Sequence, residues 1–198
     1  MAIDIAVLRS RFARAGRPAD TIYGDQGARL EEASELTPAS VLVPIVLREA
    51  GLTVLFTRRT AHLKSHSGQI SFPGGRAEPQ DPGPEETALR ETREEIGLAG
   101  EYIELLGRLG DYHTRTGYRI TPVVGLVTPP FELKPDPDEV DEVFEVPLPF
   151  LLDPGNLRRH SRKIQGEVRH FFAIPWGDYY IWGATAGMLV NLHRLLAR

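Results

Sequence analysis

A predicted helix framed by glycines and crowded with acids constrains this chain more than any other segment. It lies in the stretch SFPGGRAEPQDPGPEETALRETREEIGL, residues 71–98. Pro84 suits a first helical turn, and Gly97 is placed to end a helix in a left-handed conformation. The pattern therefore predicts a helix over residues 84–96 that is entered through a glycine turn.

Three acids of this helix lie close enough to repel one another. Glu91 and Glu95 are four residues apart, and Glu94 is three residues from Glu91, so all three can project toward one spot. Like charges at these spacings weaken an isolated helix by about 0.2–0.5 kcal/mol per pair. Two interpretations are open: the acids form a solvated face, or they bind a cation.

The same helix has an apolar face that we expect to pack on the rest of the fold. Leu89 and Ile96 form this face, with help from Ala88 and Thr92. We expect the acids to lie off it.

Clustered carboxylates supply the hard oxygen ligands that Mg²⁺ or Mn²⁺ prefers. Glu91, Glu94 and Glu95 are therefore candidate metal ligands, and Arg90 beside them can orient a carboxylate through its planar fork. The preceding turn, FPGG, offers backbone that can approach a metal or a phosphate closely.

The composition is that of an ordinary globular protein, and the length of 198 residues suits one domain. The net charge of −4 predicts no general nucleic-acid-binding surface. The chain has no cysteine, which excludes disulfides, thiolate metal sites and a thiol nucleophile. It also has no apolar run of about 18 residues, so we expect no membrane span.

Segments typical of strands and helices are interleaved irregularly along the chain. Helices are predicted at residues 3–15 and 181–197. Strands are predicted at short apolar segments: 40–47, 52–58, 69–72, 102–110, 118–127, 142–148 and 168–174. This order predicts an α/β fold with a mixed β-sheet between helices.

The start of the chain allows two interpretations. Its arginines are typical of a transit peptide, whereas Asp4 and the helical spacing of Leu8 and Phe12 favour a packed amphipathic helix. The helix agrees with more of the residues, so we expect a cytoplasmic protein.

The acidic segment resembles the Nudix box, G-x5-E-x7-R-E-U-x-E-E-x-G-U, in which U is a bulky apolar residue. Its second half is present as RETREEIGL, residues 90–98, with Thr92 at the first U position. In the first half, Pro82 stands at the position of the family's glutamate, and the nearest acid, Asp81, comes one residue early. The first half is thus one residue longer than in the general pattern.

The segment upstream of the box resembles one subgroup of the Nudix superfamily in particular. LFTRRTAHLKSHSGQISFPGG, residues 55–75, is similar to L-x-T-x-R-S-x-x-L-x-x-H-x-G-Q-x-x-F-P-G-G, the signature of coenzyme A pyrophosphatases within the Nudix superfamily. Thr60 stands where that signature has serine. The likeness covers residues 40–190, which leaves residues 1–39 as an N-terminal helix and extension of a single domain, 1–198.

The resemblance implies a Nudix-type α/β/α sandwich and metal-dependent hydrolysis of coenzyme A, or of its esters, to adenosine 3',5'-bisphosphate and 4'-phosphopantetheine. It implies Mg²⁺ or Mn²⁺ as cofactor, with Glu91, Glu94 and Glu95 as catalytic acids and metal ligands. Glu139, in the loop PDPDEV, stands at the family's loop-acid position as a catalytic base or further ligand, and Glu142 is the second choice. A solvated acidic turn is the alternative for this loop.

Substrate contacts are expected around the glycine turn. Arg59 and Arg76 are close to the box in sequence and can bind a diphosphate. His66 and Gln69 either contact the substrate or hydrogen-bond the backbone of the turn. The candidate substrate-binding residues are Arg59, His66, Gln69, Gly74, Gly75 and Arg76.

A basic run, NLRRHSRK at residues 156–163, either binds the 3'-phosphate of coenzyme A or forms a solvated face. Two other functions also stay open. A broader hydrolase would act on ADP-ribose, NADH or damaged nucleotides. A catalytically silent binding module would keep the fold as a ligand sensor, although such a module has no physical reason to retain mutually repelling acids.

Overall fold

The structure of the protein is a computed structural model. It describes residues 3–15, 22–23, 36–61, 68–114, 116–164 and 167–197. Within these ranges, the helices are α1 Ile5–Ala15, α2 Pro84–Ile96, α3 Leu148–Leu151 and α4 Gly183–Ala197. None of these helices has the length and apolar character that a membrane crossing requires.

The β-strands in the described residues form one large sheet and one small sheet. The strands of the large sheet are β1 Ile22–Tyr23, β2 Thr37–Arg48, β3 Gly51–Arg59, β4 Ile70–Ser71, β5 Gly74–Arg76, β6 Ile103–Arg108, β7 Tyr112–His113, β8 Tyr118–Val127 and β9 Val140–Pro147. Those of the small sheet are β10 Arg158–Ile164, β11 Glu167–Trp176 and β12 Tyr179–Trp182.

The large sheet is mixed, as the sequence predicts. Its hydrogen-bonded order is β1-β7-β8-β2-β3-β4, with β5 paired to β2, β6 to β8 and β9 to β3. The central strands β2 and β8 run parallel, from Thr37 opposite Tyr118 to Val46 opposite Val127. β3 runs antiparallel to both β2 and β9.

The alternation of side chains along β2 explains why helices cover both faces of this sheet. Val41, Val43 and Ile45 point into an apolar cluster that also contains residues of α1 and α4. Leu42 and Val46 point the other way, into clusters that contain residues of α2. Successive residues of a strand face opposite sides, so this single strand contributes to both layers. The predicted α/β/α arrangement is confirmed.

α1 is the packed amphipathic helix that the sequence predicts. Leu8 and Phe12 are buried in the same cluster as α4. Asp4 caps the first turn, because its carboxylate accepts a hydrogen bond from the Val7 N–H at 2.8 Å.

The small sheet contradicts two sequence predictions. β10 occupies the basic run, where the sequence pattern predicts no strand. It pairs with β11 in unbroken register from Arg158 opposite Ala173 to Ile164 opposite Glu167. β12 occupies the start of the predicted helix 181–197, so α4 begins at Gly183, whose φ of 64° turns the chain from strand into helix.

Candidate active site

Helix α2 has the ends that the sequence predicts. Pro84 opens its first turn, and Glu85 and Glu86 follow at the positive end of the helix dipole. Gly97 has φ 71°, and its N–H donates to the Arg93 carbonyl at 2.9 Å. Both ends are therefore defined by local geometry, which fixes the rotation of the acids about the helix axis.

Glu95 contradicts the expectation that the acids lie off the buried face of α2. Its side chain is 4% exposed, and it lies on the buried face with Ala88 and Thr92. The spacing explains this position, since Glu95 is two turns after Ala88 and three residues after Thr92. The Thr92 hydroxyl is satisfied by donating to the Ala88 carbonyl at 2.6 Å. The face that packs on the sheet thus includes a carboxylate.

Two groups from outside α2 contact the Glu95 carboxylate. The Gly74 N–H donates to Oε2 at 3.2 Å, and an Arg59 guanidinium nitrogen lies 3.5 Å from Oε1. Burial nevertheless raises the pKa of Glu95 to about 7; the Gly74 and Arg59 contacts oppose this rise, and the charges of Glu139 and Glu91 add to it. The charged form of Glu95 is therefore less favourable in the folded protein than in water, and a nearby cation would favour it.

Glu91 lies against the glycine turn. Its side chain is 17% exposed, and a Cβ built at Gly75 would overlap its carboxylate. Glycine at this position is what allows the turn to approach the helix so closely. Burial raises the pKa of Glu91 as well, Arg90 opposes this rise, and the charges of Glu94 and Glu139 reinforce it.

Arg90 ties the acids of α2 to the turn that precedes the helix. Its guanidinium donates two hydrogen bonds to Asp81, at 2.9 and 3.1 Å, and one each to Glu91 at 2.8 Å and Glu94 at 3.0 Å. It also donates to the Arg76 carbonyl at 2.9 Å. The Arg90 guanidinium holds the pKa of Asp81 well below its usual range. Asp81 is thus the acid that anchors this arginine, although it comes one residue early in the motif.

The helix acids do not enclose a preformed ion site. Glu94 is 60% exposed, and both Glu94 and Glu91 are paired with Arg90. Across the described ranges of the chain, no three acidic or histidine side chains come together closely enough to hold a metal ion. A cation bound here would have to compete with Arg90 for these two carboxylates.

The chemistry of the donors nevertheless fits a hard divalent cation. Burial raises the pKa of both Glu91 and Glu95, and the charge of Glu139 adds to the rise at each. Glu94 adds to the rise at Glu91, and Glu91 adds to the rise at Glu95. A nearby cation stabilises the charged form of a carboxylate and so reverses such a shift. Oxygen donors are also the type that Mg²⁺ and Mn²⁺ prefer.

The loop before β9 brings Glu139 toward the same place. Its charge raises the pKa of both buried acids of α2. Glu142 is engaged elsewhere, because it accepts a hydrogen bond from the Tyr179 hydroxyl at 2.6 Å and pairs with Arg58 at 3.0 Å. Of the two acids that the sequence left open, Glu139 is therefore the one that lies near the helix acids.

The candidate substrate-binding residues are placed differently from one another. Arg59 faces Glu95, and its N–H donates to the Gln69 carbonyl at 3.0 Å, so Gln69 supports Arg59 through the backbone. The Gly74 N–H is directed at Glu95, where it orients a carboxylate. His66 lies outside the residues that the structure describes.

Arg76 is exposed beside Tyr118. Its guanidinium donates to the Tyr118 hydroxyl at 2.9 and 3.1 Å and lies 5.4 Å from the centre of the ring. No local sequence pattern predicts this pair, because the two residues are far apart in the chain. The basic run, by contrast, lies on β10 of the small sheet, and the described contacts do not join it to the acids of α2.

Comparison with known proteins gives a consistent result. A family model of the NUDIX domain matches residues 36–165. The chain is 38% identical over 154 residues to an uncharacterized Nudix hydrolase, NudL, of Photorhabdus laumondii, covering 78% of this chain and 82% of that protein. It is 39% identical over 156 residues to the uncharacterized NudL of Yersinia pestis, covering 78% and 77%.

A solved structure also shares the fold. RenU, a Nudix hydrolase from M. smegmatis, aligns with a TM-score of 0.50 at 21% sequence identity, covering 59% of this chain and 74% of that chain. At this identity the likeness concerns the fold alone.

Proposed function

The chain belongs to the Nudix family, whose hydrolases act on phosphorus anhydride bonds, and we propose that its substrate is coenzyme A. In this reaction, water adds to one phosphorus of the diphosphate, the anhydride P–O bond breaks, and a proton is released. The products are adenosine 3',5'-bisphosphate and 4'-phosphopantetheine. The proposed cofactor is Mg²⁺ or Mn²⁺.

The observation that carries the proposal is that residues of one sequence segment, 55–75, contact the buried acids of α2. Residues 55–75 resemble the coenzyme A pyrophosphatase signature well beyond what the Nudix box requires. From this segment, Arg59 and Gly74 contact Glu95, and Gly75 gives the space that Glu91 occupies. Gly75 belongs to the Nudix box itself, whereas Arg59 lies outside the box and contacts a buried acid of α2. This contact supports a role for the segment in substrate choice.

In the proposed site, Glu91 and Glu95 hold the divalent ion, and Glu94 is a third ligand, directly or through water. When bound, the ion neutralises the charge of the diphosphate and lowers the pKa of a bound water. Glu139 accepts the proton from the attacking water or completes the ligand set.

The cations of the site hold the diphosphate and the acids in position. Arg59 and Arg76 are the proposed diphosphate contacts, because a guanidinium matches two phosphate oxygens at once. Arg90 orients Glu91 and Glu94 through the hydrogen bonds that it donates to them. Its own position is fixed by Asp81.

A substrate screen tests this proposal. We would measure kcat/KM for coenzyme A, ADP-ribose, NADH and deoxynucleoside triphosphates, with Mg²⁺, with Mn²⁺ and with EDTA. Chromatographic separation of substrate and products, with no coupling enzyme, gives the rate. We expect coenzyme A to be preferred and EDTA to abolish turnover. A higher kcat/KM for ADP-ribose than for coenzyme A would overturn the assignment of substrate.

Dephospho-coenzyme A tests whether the 3'-phosphate is recognised. Groups that bind this phosphate are left unpaired by the shorter substrate, and we expect kcat/KM to fall by about tenfold. The loss should be smaller at high salt if the phosphate is bound at the exposed rim of the site. Equal values for the two substrates at both salt concentrations would show that the 3'-phosphate is not read.

A further inference from the structure

We propose that Thr60 is a positioning residue that holds the loop carrying Glu139 against the acids of α2. The inference rests on the proposed role of Glu139. Thr60 directly follows β3 and is 5% exposed. Its N–H donates to the Glu139 carbonyl at 3.0 Å, and its hydroxyl donates to the Asp138 carbonyl at 3.0 Å. One residue therefore binds two consecutive carbonyls of the loop.

Arg59, the residue before Thr60, connects the end of β3 to helix α2. Arg59 places a guanidinium nitrogen 3.5 Å from Glu95. Two adjacent residues at the end of one strand thus contact a buried acid of α2 and the backbone of the loop acid. Their spacing along the chain is fixed, so the end of β3 sets how far the loop acid lies from the helix acids.

A β-bulge at the start of β9 allows the preceding loop to approach the end of β3. Arg58 pairs with Glu142, whereas Arg59 pairs with Val140, so Asp141 is an extra residue in β9. Such a bulge bends the strand that contains it. The backbone of residues 138 and 139 is thereby brought within reach of Thr60.

A second anchor lies earlier in the same loop, at Asp136. The Asp136 N–H donates to the Glu95 carbonyl at 2.9 Å, which joins the loop to the end of α2. The Asp136 carbonyl accepts from the Glu139 N–H at 3.1 Å and from the Val140 N–H at 2.8 Å. The loop that carries Glu139 is therefore anchored both to α2 and to the end of β3.

The Glu139 side chain itself is exposed, and among the described residues no side-chain hydrogen bond holds its carboxylate. Its position is consequently set by the anchored backbone of residues 136–139. Loss of the Thr60 hydroxyl would release the Asp138 carbonyl and loosen the anchor on β3. A displacement of about 1 Å of a catalytic group is enough to reduce turnover by up to about 100-fold.

A double-mutant cycle tests this inference. Thr60→Val keeps the shape and the N–H but removes the hydroxyl, and Thr60→Ser keeps the hydroxyl. With whichever of coenzyme A and ADP-ribose is turned over faster, we expect Thr60→Val to lower kcat about tenfold and to change KM less than about twofold. Thr60→Ser should restore kcat to within about twofold of the wild type. In the Glu139→Gln background, Thr60→Val should change kcat less than about twofold, because the group it positions is gone.

Thr185→Val is the matched control. Thr185 is also 5% exposed, and its hydroxyl also donates to a backbone carbonyl, that of Ile70, at 3.0 Å. It should lower the urea midpoint about as much as Thr60→Val but leave kcat unchanged. An equal loss of kcat from Thr60→Val in both backgrounds would overturn the inference and leave the role of Glu139 intact. Wild-type kcat in Glu139→Gln would overturn the roles of both residues.

Discussion

Helices α2 and α4 pack on opposite faces of the large sheet, and they bury different kinds of group. The ten buried residues of α4 are all uncharged, and five of them belong to the main apolar cluster. α2 buries five residues, of which two are threonines and one is Glu95. One helix thus contributes apolar packing, whereas the other places a carboxylate in the protein interior.

The difference shows where the molecule gives up stability for chemistry. Burial of apolar side chains is the main favourable contribution to folding. A buried carboxylate opposes folding unless hydrogen bonds and opposite charges compensate for its lost hydration. Because the pKa of Glu95 remains raised despite its contacts with Gly74 and Arg59, that compensation is incomplete. Variants of α2 should therefore affect turnover, and variants of α4 should affect stability.

The largest expected effect is on turnover in Glu91→Gln and Glu95→Gln. Each change removes a proposed metal-binding charge, and we expect kcat/KM to fall by about 1,000-fold at saturating Mg²⁺. The fold should be kept, because a repelling acid is replaced by a neutral side chain of the same size. Steady-state kinetics and circular dichroism on the same samples check both expectations.

Glu86→Gln is the control for that comparison. Glu86 is exposed in the first turn of α2, so the same chemical change away from the site should leave activity unchanged. Near-normal turnover in Glu91→Gln or Glu95→Gln would remove the metal assignment of that residue.

The two acids near the start of β9, Glu139 and Glu142, can be distinguished by their effects on turnover. Glu139→Gln should lower kcat by about 100-fold with little change in KM, because a proton acceptor acts mainly in the transition state. Glu142→Gln should have a much smaller effect, since Glu142 is bound by Tyr179 and Arg58. A larger loss in Glu142→Gln, or a change confined to KM in Glu139→Gln, would assign the role elsewhere.

Leu192→Ala should produce the opposite pattern from the α2 variants. Leu192 is fully buried in α4, and truncation of such a side chain lowers the free energy of unfolding by about 2–5 kcal/mol. Urea denaturation measures this loss, while kcat at low temperature should stay within about twofold. Leu105→Ala, at a site that is 37% exposed, should change neither quantity appreciably. A loss of kcat in Leu192→Ala that remains folded would contradict the claim that α4 contributes to stability and not to turnover.

Much of the fold could be predicted from the sequence because its elements have strong local signals. β8 occupies residues 118–127 as predicted, and α2 occupies 84–96, because proline, glycine and the apolar spacing mark their limits. β10 was missed because its residues are mostly basic and polar, and its conformation depends on pairing with β11. The last two residues of β12, Ile181 and Trp182, fall within the predicted helix because they are apolar and continue the pattern of α4.

The site was predicted in part for a similar reason. The acids of α2 follow a local spacing, and that same spacing, counted from Ala88, would have placed Glu95 on the buried face. Contacts between distant segments had no such signal. The bond from Thr60 to the loop of Glu139 and the bond from Arg76 to Tyr118 depend on how the strands are arranged.

The pH dependence of stability in metal-free protein tests most directly whether α2 carries a destabilising acid. The folded-state pKa of Glu95 is raised to about 7, above the ordinary glutamate value of about 4.5. The contribution of Glu95 to stability is therefore fully present below about pH 4.5 and is lost as the pH rises through about 7, because the charged form is disfavoured only in the folded protein. Urea unfolding in EDTA at pH 4.5 and pH 8, with the wild type and Glu95→Gln, isolates this contribution. We expect similar stabilities at pH 4.5 and a variant more stable than the wild type by on the order of 2 kcal/mol at pH 8. A variant less stable than the wild type at pH 8 would contradict the account.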